Sequence, residues 1–185
     1  MLEFVQIKIE EFENEIYDEY ITLFPEDEQR DWGKFKKTYE NGQEKFYKII
    51  SKQKVVGFFM LEKCSDAHPY YIDYFAIFKE YQNKGFGTEA IKKILREFAS
   101  EDGIYIEIEK MDENNPNTLR RAKFYENLGF EKIESEYLLY DVYYVPYVYM
   151  PEKMTFKENI DRIMFDYYLM NCGEKQVRER CKIIR

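Results

Sequence analysis

The sequence has little of what a metal enzyme or a disulfide-bonded protein requires. It contains one histidine, His68, and three cysteines, Cys64, Cys172 and Cys181. A single histidine argues against a histidine-based metal site, and the odd number and the spacing of the cysteines match no zinc pattern. We therefore expect no metal and three reduced thiols.

Long apolar runs and a surplus of positive charge are also missing. No segment approaches the ~20 apolar residues of a membrane-spanning helix, and the acidic N-terminus lacks the layout of a signal peptide. We therefore expect a cytoplasmic protein with no membrane partner. The 28 basic and 36 acidic residues give a net charge of -8, which disfavours nucleic-acid binding because that requires a basic face. The acidic surplus either attracts a cationic substrate or only keeps the protein in solution.

What is present is a series of helical and strand-like patterns in a chain of 185 residues. Apolar residues at helical spacing predict helices over 7–23, 88–100, 117–128 and 155–171, with a short helix or loop over 26–42. Alternating or continuous apolar runs predict strands over 44–51, 54–63, 70–78, 104–109, 130–140 and 143–150. The basic segment 177–185 is expected to be poorly ordered. This mixed order predicts an α+β or α/β sheet with helices on both faces.

Two details of this pattern matter for function. Lys52-Gln53 separates the first two strands, which predicts a β-hairpin. The strand Tyr70–Phe78 is aromatic and β-branched along its length, which is typical of a central strand covered on both faces. A glycine-bearing turn follows this buried strand and precedes an amphipathic helix.

That turn, Gln82–Thr88, has the chemistry of an anion site. The first N–H groups of the following helix have no partner inside it and lie at its positive end. Gly85 and Gly87 remove the Cβ atoms that would keep an anion away from the backbone. The segment therefore predicts a site for a diphosphate. It is not a Walker A loop, because no G-K-[ST] follows, and its position after three antiparallel strands does not fit a dinucleotide-binding βαβ unit.

Two segments resemble hallmark motifs of the GNAT N-acetyltransferase superfamily. Gln82, Gly85 and Gly87 match the family's motif A, [QR]-x-x-G-x-[GA], and the preceding IDYFAI resembles its fourth strand. Further along, KFYENLGF at 123–130 resembles its F-Y-E-x-L-G-F helix end, with one strand between the two motifs. The resemblance implies a mixed, mostly antiparallel central sheet flanked by helices, with splayed fourth and fifth strands. It covers about 7–150, so we expect an acetyltransferase domain over 1–150 and a C-terminal helical extension over 151–185.

The resemblance also implies that acetyl-CoA is the cosubstrate and which residues hold it. The pantetheine arm would pair with the backbone of Phe75, Ala76 and Ile77. Asn117 is similar to a CoA-contacting asparagine, with Asn114 and Asn115 as alternatives. The pyrophosphate would be held by backbone amides of the turn, namely Gln82, Asn83, Lys84, Gly85, Phe86, Gly87 and Thr88.

Direct transfer of an acetyl group to an amine creates two proton transfers. Tyr125 matches the tyrosine that protonates the leaving thiolate in the family. A base must take the proton of the amine, which is mostly protonated at pH 7. Asp73, in an otherwise apolar strand, is the first candidate, because a carboxylate there should face the cleft; Glu107 and Glu109 are alternatives. A backbone N–H near Ile77 would meet the oxyanion.

The sequence leaves the acceptor undetermined among small-molecule amines, peptide N-termini and lysine side chains. Two alternatives to acetyl transfer also stay open: an acyltransferase that uses another acyl-CoA, and a catalytically silent GNAT-like module that only binds acyl-CoA. The helical tail either packs on the domain or forms a homodimer contact.

Overall fold

The structure, a computed structural model, describes residues 1–66, 68–99, 103–149 and 159–184. The predicted ends of a helix at Ser100 and of a strand at Met150, and the predicted helical residues 155–158, lie outside these ranges. The chain forms two units, Met1–Glu62 with Ile72–Ile94, and Lys63–Tyr71 with Leu95–Arg185. No helix among the described residues has both the length and the apolar character needed to cross a membrane.

The first unit combines a sheet with helices that precede and follow it. Its strands lie in the order β1, β2, β3, β4, and the β1–β2 and β2–β3 pairs are antiparallel. Its elements are β1 Glu3–Ile7, α1 Ile9–Glu15, α2 Tyr17–Leu23, α3 Trp32–Glu40, β2 Glu44–Ser51, β3 Lys54–Glu62, the part of β4 (Tyr70–Ile77) from Ile72 onward, and the start of α4 (Phe86–Phe98).

The predicted hairpin between β2 and β3 is confirmed. Lys52 and Gln53 both have positive φ, 48° and 64°, which is the backbone of the turn that best matches the twist of two paired strands. The side chains of both strands are mostly buried. Phe46 and Phe58 join Phe12 and Phe35 from the helices in one aromatic core.

The N-terminal segment differs from the prediction of one helix over 7–23. Residues 3–7 form β1, which runs along β2 from Glu3 opposite Ile50 to Ile7 opposite Phe46. The helical stretch is divided at Ile16, whose φ and ψ of -124° and -30° end α1 and begin α2. The apolar residues keep their helical spacing across this break, and Phe12, Ile16 and Tyr20 are all buried. β1 is too short to show a strong pattern and gains its partner from distant β2.

The second unit contains the remaining strands and helices. Its strands lie in the order β4, β5, β8, β7, β9, with β6 also paired to β8. β4 and β5 are parallel, and the other pairs are antiparallel. Its elements are β5 Ile104–Glu109, α5 Pro116–Glu126, β6 Glu131–Lys132, β7 Glu136–Leu139, β8 Val142–Tyr149, α6 Ile160–Arg180 and β9 Cys181–Ile184.

The parallel ladder between β4 and β5 is short. It consists of Tyr70 opposite Ile104 and Tyr71 opposite Tyr105, both within the second unit. The splaying of the fourth and fifth strands that the resemblance implies stays a prediction. The mixed, mostly antiparallel sheet with flanking helices that the sequence predicts is confirmed.

The C-terminal segment is more ordered than predicted. α6 continues to Arg180 through a non-helical Gly173, whose φ is 77° and ψ is 163°. The described residues of 177–185 are not poorly ordered, because β9 pairs with β7 from Cys181 opposite Leu139 to Ile184 opposite Glu136. The predicted strand 130–140 is instead two strands, β6 and β7, separated by a turn in which the N–H of Ser135 donates to the carbonyl of Ile133.

Candidate active site

The glycine-bearing turn lies at the start of α4 in the first unit. α4 begins at Phe86, and the N–H of Glu89 makes the first helical bond, to the carbonyl of Gly85 at 3.0 Å. The N–H groups just before Glu89 therefore have no carbonyl of the helix to reach. Gln82, Asn83, Lys84 and Gly85 are all exposed. The turn thus presents backbone donors to solvent at the positive end of a 13-residue helix.

The turn has the backbone shape that the sequence predicts from its glycine. Gly85 has φ 84° and Asn83 has φ 59°, a region that glycine adopts freely and asparagine tolerates. A Cβ built on Gly85 would have no atom within 4 Å, so the space above the backbone is open to a ligand. The exposed side chain of Gln82 folds back onto the chain, because its Nε2 donates to the carbonyl of Ile77 at 2.9 Å. This bond ties the turn to the end of β4.

The end of β4 approaches β3 unusually closely. A Cβ on Gly57 would lie 2.3 Å from the carbonyl oxygen of Ala76 and 3.0 Å from the Cα of Ile77. The next residue along, Phe78, donates its N–H to the carbonyl of Val56 at 2.9 Å. Gly57 is therefore required for the path of the strand that carries Ala76 and Ile77. The first unit brings these residues and the turn into one continuous segment.

Asp73 on β4 is held in a buried ion-pair cluster. Its carboxylate contacts Nη2 of Arg30, which also lies 2.6 Å from Glu62, and Nη1 of Arg30 lies 2.8 Å from Glu44. The side chain of Asp73 is 12% exposed and that of Arg30 8%, whereas Glu44 and Glu62 are fully buried. The guanidinium also lies 4.9 Å from the ring centroid of Phe35. Asp73 thus shares one cation with two other carboxylates.

The charges in this cluster do not balance. Burial by itself would lower the pKa of Arg30, but Asp73, Glu44 and Glu62 outweigh it and hold that pKa well above its ordinary value. Burial raises the pKa of Glu44 to about 7, against the opposing effect of Arg30. Oε1 of Glu44 has no hydrogen-bond partner within the described part of the chain. A proton on Glu44 at neutral pH reduces the repulsion among three carboxylates that share one guanidinium.

The start of α5, in the second unit, carries the predicted asparagines. Asn115 caps the helix, because its side chain accepts from the N–H of Asn117 at 3.2 Å, and Pro116 occupies the first helical position. Asn114 donates to Asp112. Asn117 is exposed. Asn115 and Asn114 thus serve the local fold.

Tyr125 lies near the end of α5 in an apolar setting. Its ring lies 5.1 Å from that of Phe124 and 5.3 Å from that of Phe130, edge to face in both cases. Burial raises the pKa of Tyr125 to about 12, with Arg121 opposing. The hydroxyl is therefore protonated at neutral pH, as a proton donor must be.

The two alternative carboxylates on β5 have different surroundings. Glu109 forms a 2.8 Å ion pair with Arg121 of α5, which suits a surface role. Glu107 accepts hydrogen bonds from the hydroxyls of Tyr105, of Tyr71 at 3.5 Å and of Tyr168 at 2.8 Å. All three of these hydroxyls are neutral donors.

Arg30, Glu44 and Glu62 are the residues that sequence reasoning missed. Arg30 lies in an irregular segment between α2 and α3, where nothing marks it as buried. Glu44 begins β2 and Glu62 ends β3, so both look like ordinary polar strand ends. The signal that could have found them is the hairpin, which places Glu44, the first residue of β2, opposite Glu62, the last residue of β3. Two carboxylates opposite each other repel, so this pairing calls for a cation nearby.

The comparison with known protein families gives one match. Residues 9–130 match the model of the Acetyltransferase (GNAT) family, which is well over half of the chain. The chain belongs to this family. No curated protein matches it at a significant level.

Solved structures of GNAT proteins share the fold. A putative acetyltransferase of the GNAT family from Bacteroides thetaiotaomicron has a TM-score of 0.79 at 19% identity, over 93% of this chain and 99% of that one. A GNAT family acetyltransferase from Elizabethkingia anophelis with acetyl-CoA bound has a TM-score of 0.60 at 11% identity, over 81% and 98%. The ribosomal-protein-S18-alanine N-acetyltransferase from Escherichia coli has a TM-score of 0.57 at 14% identity, over 84% and 100%. At these identities the similarity defines the fold.

Proposed function

We propose that this protein is an acetyl-CoA-dependent N-acetyltransferase that moves the acetyl group directly to an amine. The observation that carries the proposal is the open, exposed turn around Gly85, which presents backbone donors at the start of α4 in a chain of the GNAT family. The acetyl-CoA bound to the structurally similar Elizabethkingia protein supports the choice of cosubstrate. The domain that performs this function is 1–150, followed by the extension 151–185.

The turn supplies the main binding contacts in this proposal. Backbone N–H groups from Gln82 to Thr88 hold the pyrophosphate at the positive end of α4. The backbone of Phe75, Ala76 and Ile77 pairs with the pantetheine arm, and Asn117 contacts it from α5. The bound acetyl-CoA supplies the thioester whose acetyl group is transferred.

In the transfer, the amine nitrogen forms a bond to the acetyl carbon and the bond from that carbon to sulfur breaks. Tyr125 donates its proton to the leaving thiolate. The motif around Tyr125 supports this role; burial raises the pKa of its hydroxyl to about 12, so the proton is present at neutral pH. A backbone N–H near Ile77 stabilises the oxyanion.

The proton of the amine goes to a carboxylate, and the surroundings favour Glu107 over Asp73. A guanidinium stabilises an ionised carboxylate strongly and lowers its affinity for a proton. Asp73 is in contact with Arg30, whereas the donors to Glu107 are neutral hydroxyls, which stabilise a carboxylate less. Glu109, paired with Arg121, is the weakest candidate of the three.

The acceptor is a small-molecule amine or a peptide N-terminus or lysine. The name of the Escherichia coli relative, an alanine N-acetyltransferase for ribosomal protein S18, supports testing peptides beside small amines. Both classes present the same nucleophile, a primary amine that must lose a proton before it attacks.

Binding of acetyl-CoA tests the turn directly. A concentration of 100 times the dissociation constant should stabilise the protein by about 2.7 kcal/mol, which thermal unfolding detects. Gly85→Val should abolish this stabilisation, because a side chain would then cover the amides. Gly42→Val is the matched control: Gly42 also has positive φ, 71°, and open space around it, but lies outside the turn.

Thiol release across a panel of amines and peptides tests the reaction. We expect acetyl-CoA to stabilise the wild type and at least one amine to release free CoA. Stabilisation without thiol release from any amine would favour the silent binding module, and stabilisation by a longer acyl-CoA alone would favour another acyl donor. No stabilisation by any acyl-CoA would refute the proposal.

A further inference from the structure

The C-terminal helix α6 reaches a residue that we propose for catalysis. α6, Ile160–Arg180, lies outside residues 9–130, which match the family model. It nevertheless places the hydroxyl of Tyr168 2.8 Å from Oε2 of Glu107. A helix that the family match does not include thus contributes a hydrogen bond to the candidate base.

Glu107 is the meeting point of three elements of the second unit. Oε1 accepts from Tyr105 on its own strand, and Oε2 accepts from Tyr71 of β4 and from Tyr168 of α6. Burial raises the pKa of Tyr105 and that of Tyr168 well above the ordinary value, so both hydroxyls stay protonated and act as donors. Donors on both oxygens fix the plane of the carboxylate.

We propose that Tyr168 is a positioning residue for acetyl transfer: through its hydrogen bond, α6 sets the orientation and the proton affinity of the Glu107 carboxylate. This inference rests on the proposed function and on Glu107 as the base. It gives the C-terminal helix a role in the reaction beyond covering the sheet.

Other contacts of α6 serve to attach it and do not touch Glu107. The hydroxyl of Tyr167 is buried and donates to the carbonyl of Pro69. Asp161 accepts from Ser135 at 2.6 Å and from Tyr137 at 3.1 Å. Tyr167 is therefore a matched control for Tyr168: the two tyrosines are adjacent, but the hydroxyl of Tyr167 donates to a backbone carbonyl, whereas that of Tyr168 donates to Glu107.

Several titratable groups face Glu107 from the elements packed around it. They are Tyr71 on β4, Tyr105 on β5, Tyr137 on β7, Tyr168 on α6 and Cys181 on β9. Burial raises the pKa of Cys181 to about 12, so this thiol is also neutral at physiological pH. Burial also raises the pKa of Tyr105, Tyr137 and Tyr168 above the ordinary value, so these groups stay uncharged in the pH range of the experiments below.

The first experiment compares the pH profiles of kcat for the wild type, Tyr168→Phe and Tyr167→Phe with an amine that the wild type acetylates. Loss of a donor destabilises the ionised carboxylate, so the acid limb of Tyr168→Phe should shift to higher pH by about 1 unit. Tyr167→Phe should keep the wild-type limb even if it unfolds more easily. An acid limb at the same pH in the wild type and in Tyr168→Phe would overturn the inference.

The second experiment does not depend on turnover. The carboxyl carbons of glutamate are labelled with ¹³C, and the Glu107 signal is assigned by its loss in Glu107→Gln. In Tyr168→Phe the signal should titrate at higher pH than in the wild type, whereas Tyr167→Phe should leave it unchanged. If Tyr168→Phe does not fold, Tyr168→Leu replaces it, because it also removes the hydroxyl donor, and the expected direction is the same.

The two ways of failing are distinct. A wild type that transfers no acetyl group to any amine refutes the proposed function, whatever Glu107 does. A wild type that transfers acetyl groups while Tyr168→Phe leaves both the Glu107 titration and the acid limb in place refutes the role of Tyr168. A shifted titration with an unshifted limb also refutes it, because Glu107 would then not be the group that limits turnover at acid pH.

Discussion

Gly57 and Ala76 lie so close together that a single added carbon would collide with the strand. The Cβ of an alanine at 57 would lie 2.3 Å from the Ala76 carbonyl oxygen. Because this oxygen belongs to the backbone, it cannot avoid the collision by a change of side-chain rotamer. The end of β4 must therefore move if Gly57 is replaced. This segment is where the proposal places the pantetheine arm.

Gly57→Ala should consequently weaken acetyl-CoA binding as well as the fold. We expect a loss of about 1–3 kcal/mol in the free energy of unfolding, because overpacking forces a backbone shift, and a loss of acetyl-CoA affinity larger than this destabilisation explains. Isothermal titration and urea unfolding measure the two effects. Gly42→Ala, where nothing lies within 4 Å of the added carbon, should lose stability only. If Gly57→Ala binds acetyl-CoA as tightly as the wild type, the end of β4 does not contact the cosubstrate.

Tyr125→Phe should lower kcat and leave acetyl-CoA binding nearly intact. Loss of a general acid typically costs about 10²–10⁴-fold, and the ring that packs on Phe130 is preserved. Stopped or continuous thiol assays give kcat, and thermal shift gives binding. Tyr149→Phe is a suitable control, since its ring also lies against Phe130, at 5.8 Å. If Tyr125→Phe has the kcat of the wild type, Tyr125 is not the general acid.

Asp73→Asn and Glu107→Gln should affect turnover differently. If Glu107 is the base, Glu107→Gln lowers kcat by about 10²-fold or more and abolishes the acid limb of its pH profile. Asp73→Asn should keep that limb and mainly lower stability, because it removes one partner of buried Arg30. The opposite result, with the limb lost in Asp73→Asn alone, would restore the base that the sequence first suggested.

Glu44 should make the free energy of unfolding depend on pH near neutrality. Its pKa in the folded protein, about 7, lies above the ordinary value of 4.5. The stability is therefore complete below pH 4.5 and falls as the pH rises through 7. The loss between pH 5 and 8 should be about 2–3 kcal/mol, and Glu44→Gln should remove this slope.

Urea unfolding at several pH values measures this dependence. Glu15→Gln is the control, because Glu15 is half exposed and lies outside the Arg30 cluster, in an ion pair with Lys48. It should retain the wild-type slope. If Glu44→Gln unfolds with the same pH dependence as the wild type, the extra proton of the cluster does not reside on Glu44.

Local patterns were sufficient to predict most elements and the turn at Gly85. The hairpin at Lys52-Gln53, the buried β4 and the helix after Gly85 all follow from the period of their apolar residues, and the turn at Gly85 also from a residue that favours positive φ. The contacts of Asp73 could not be predicted in this way. Its cation comes from Arg30, in a loop 43 positions earlier, and only the packing of the first unit brings the two together.

The C-terminal region shows the same limit. Helical spacing predicts most of α6, but the basic composition of 177–185 suggested disorder. β9 forms because β7 offers a free edge, and no pattern within Cys181–Ile184 specifies that partner. The role of Tyr168 likewise depends on which strand its helix covers.

The pairing of β9 with β7 has a practical consequence for protein engineering. In a chain cut after Arg180, the donors and acceptors along Glu136–Leu139 would face solvent and become a template for a strand from another molecule. Such a shortened protein should self-associate with increasing concentration.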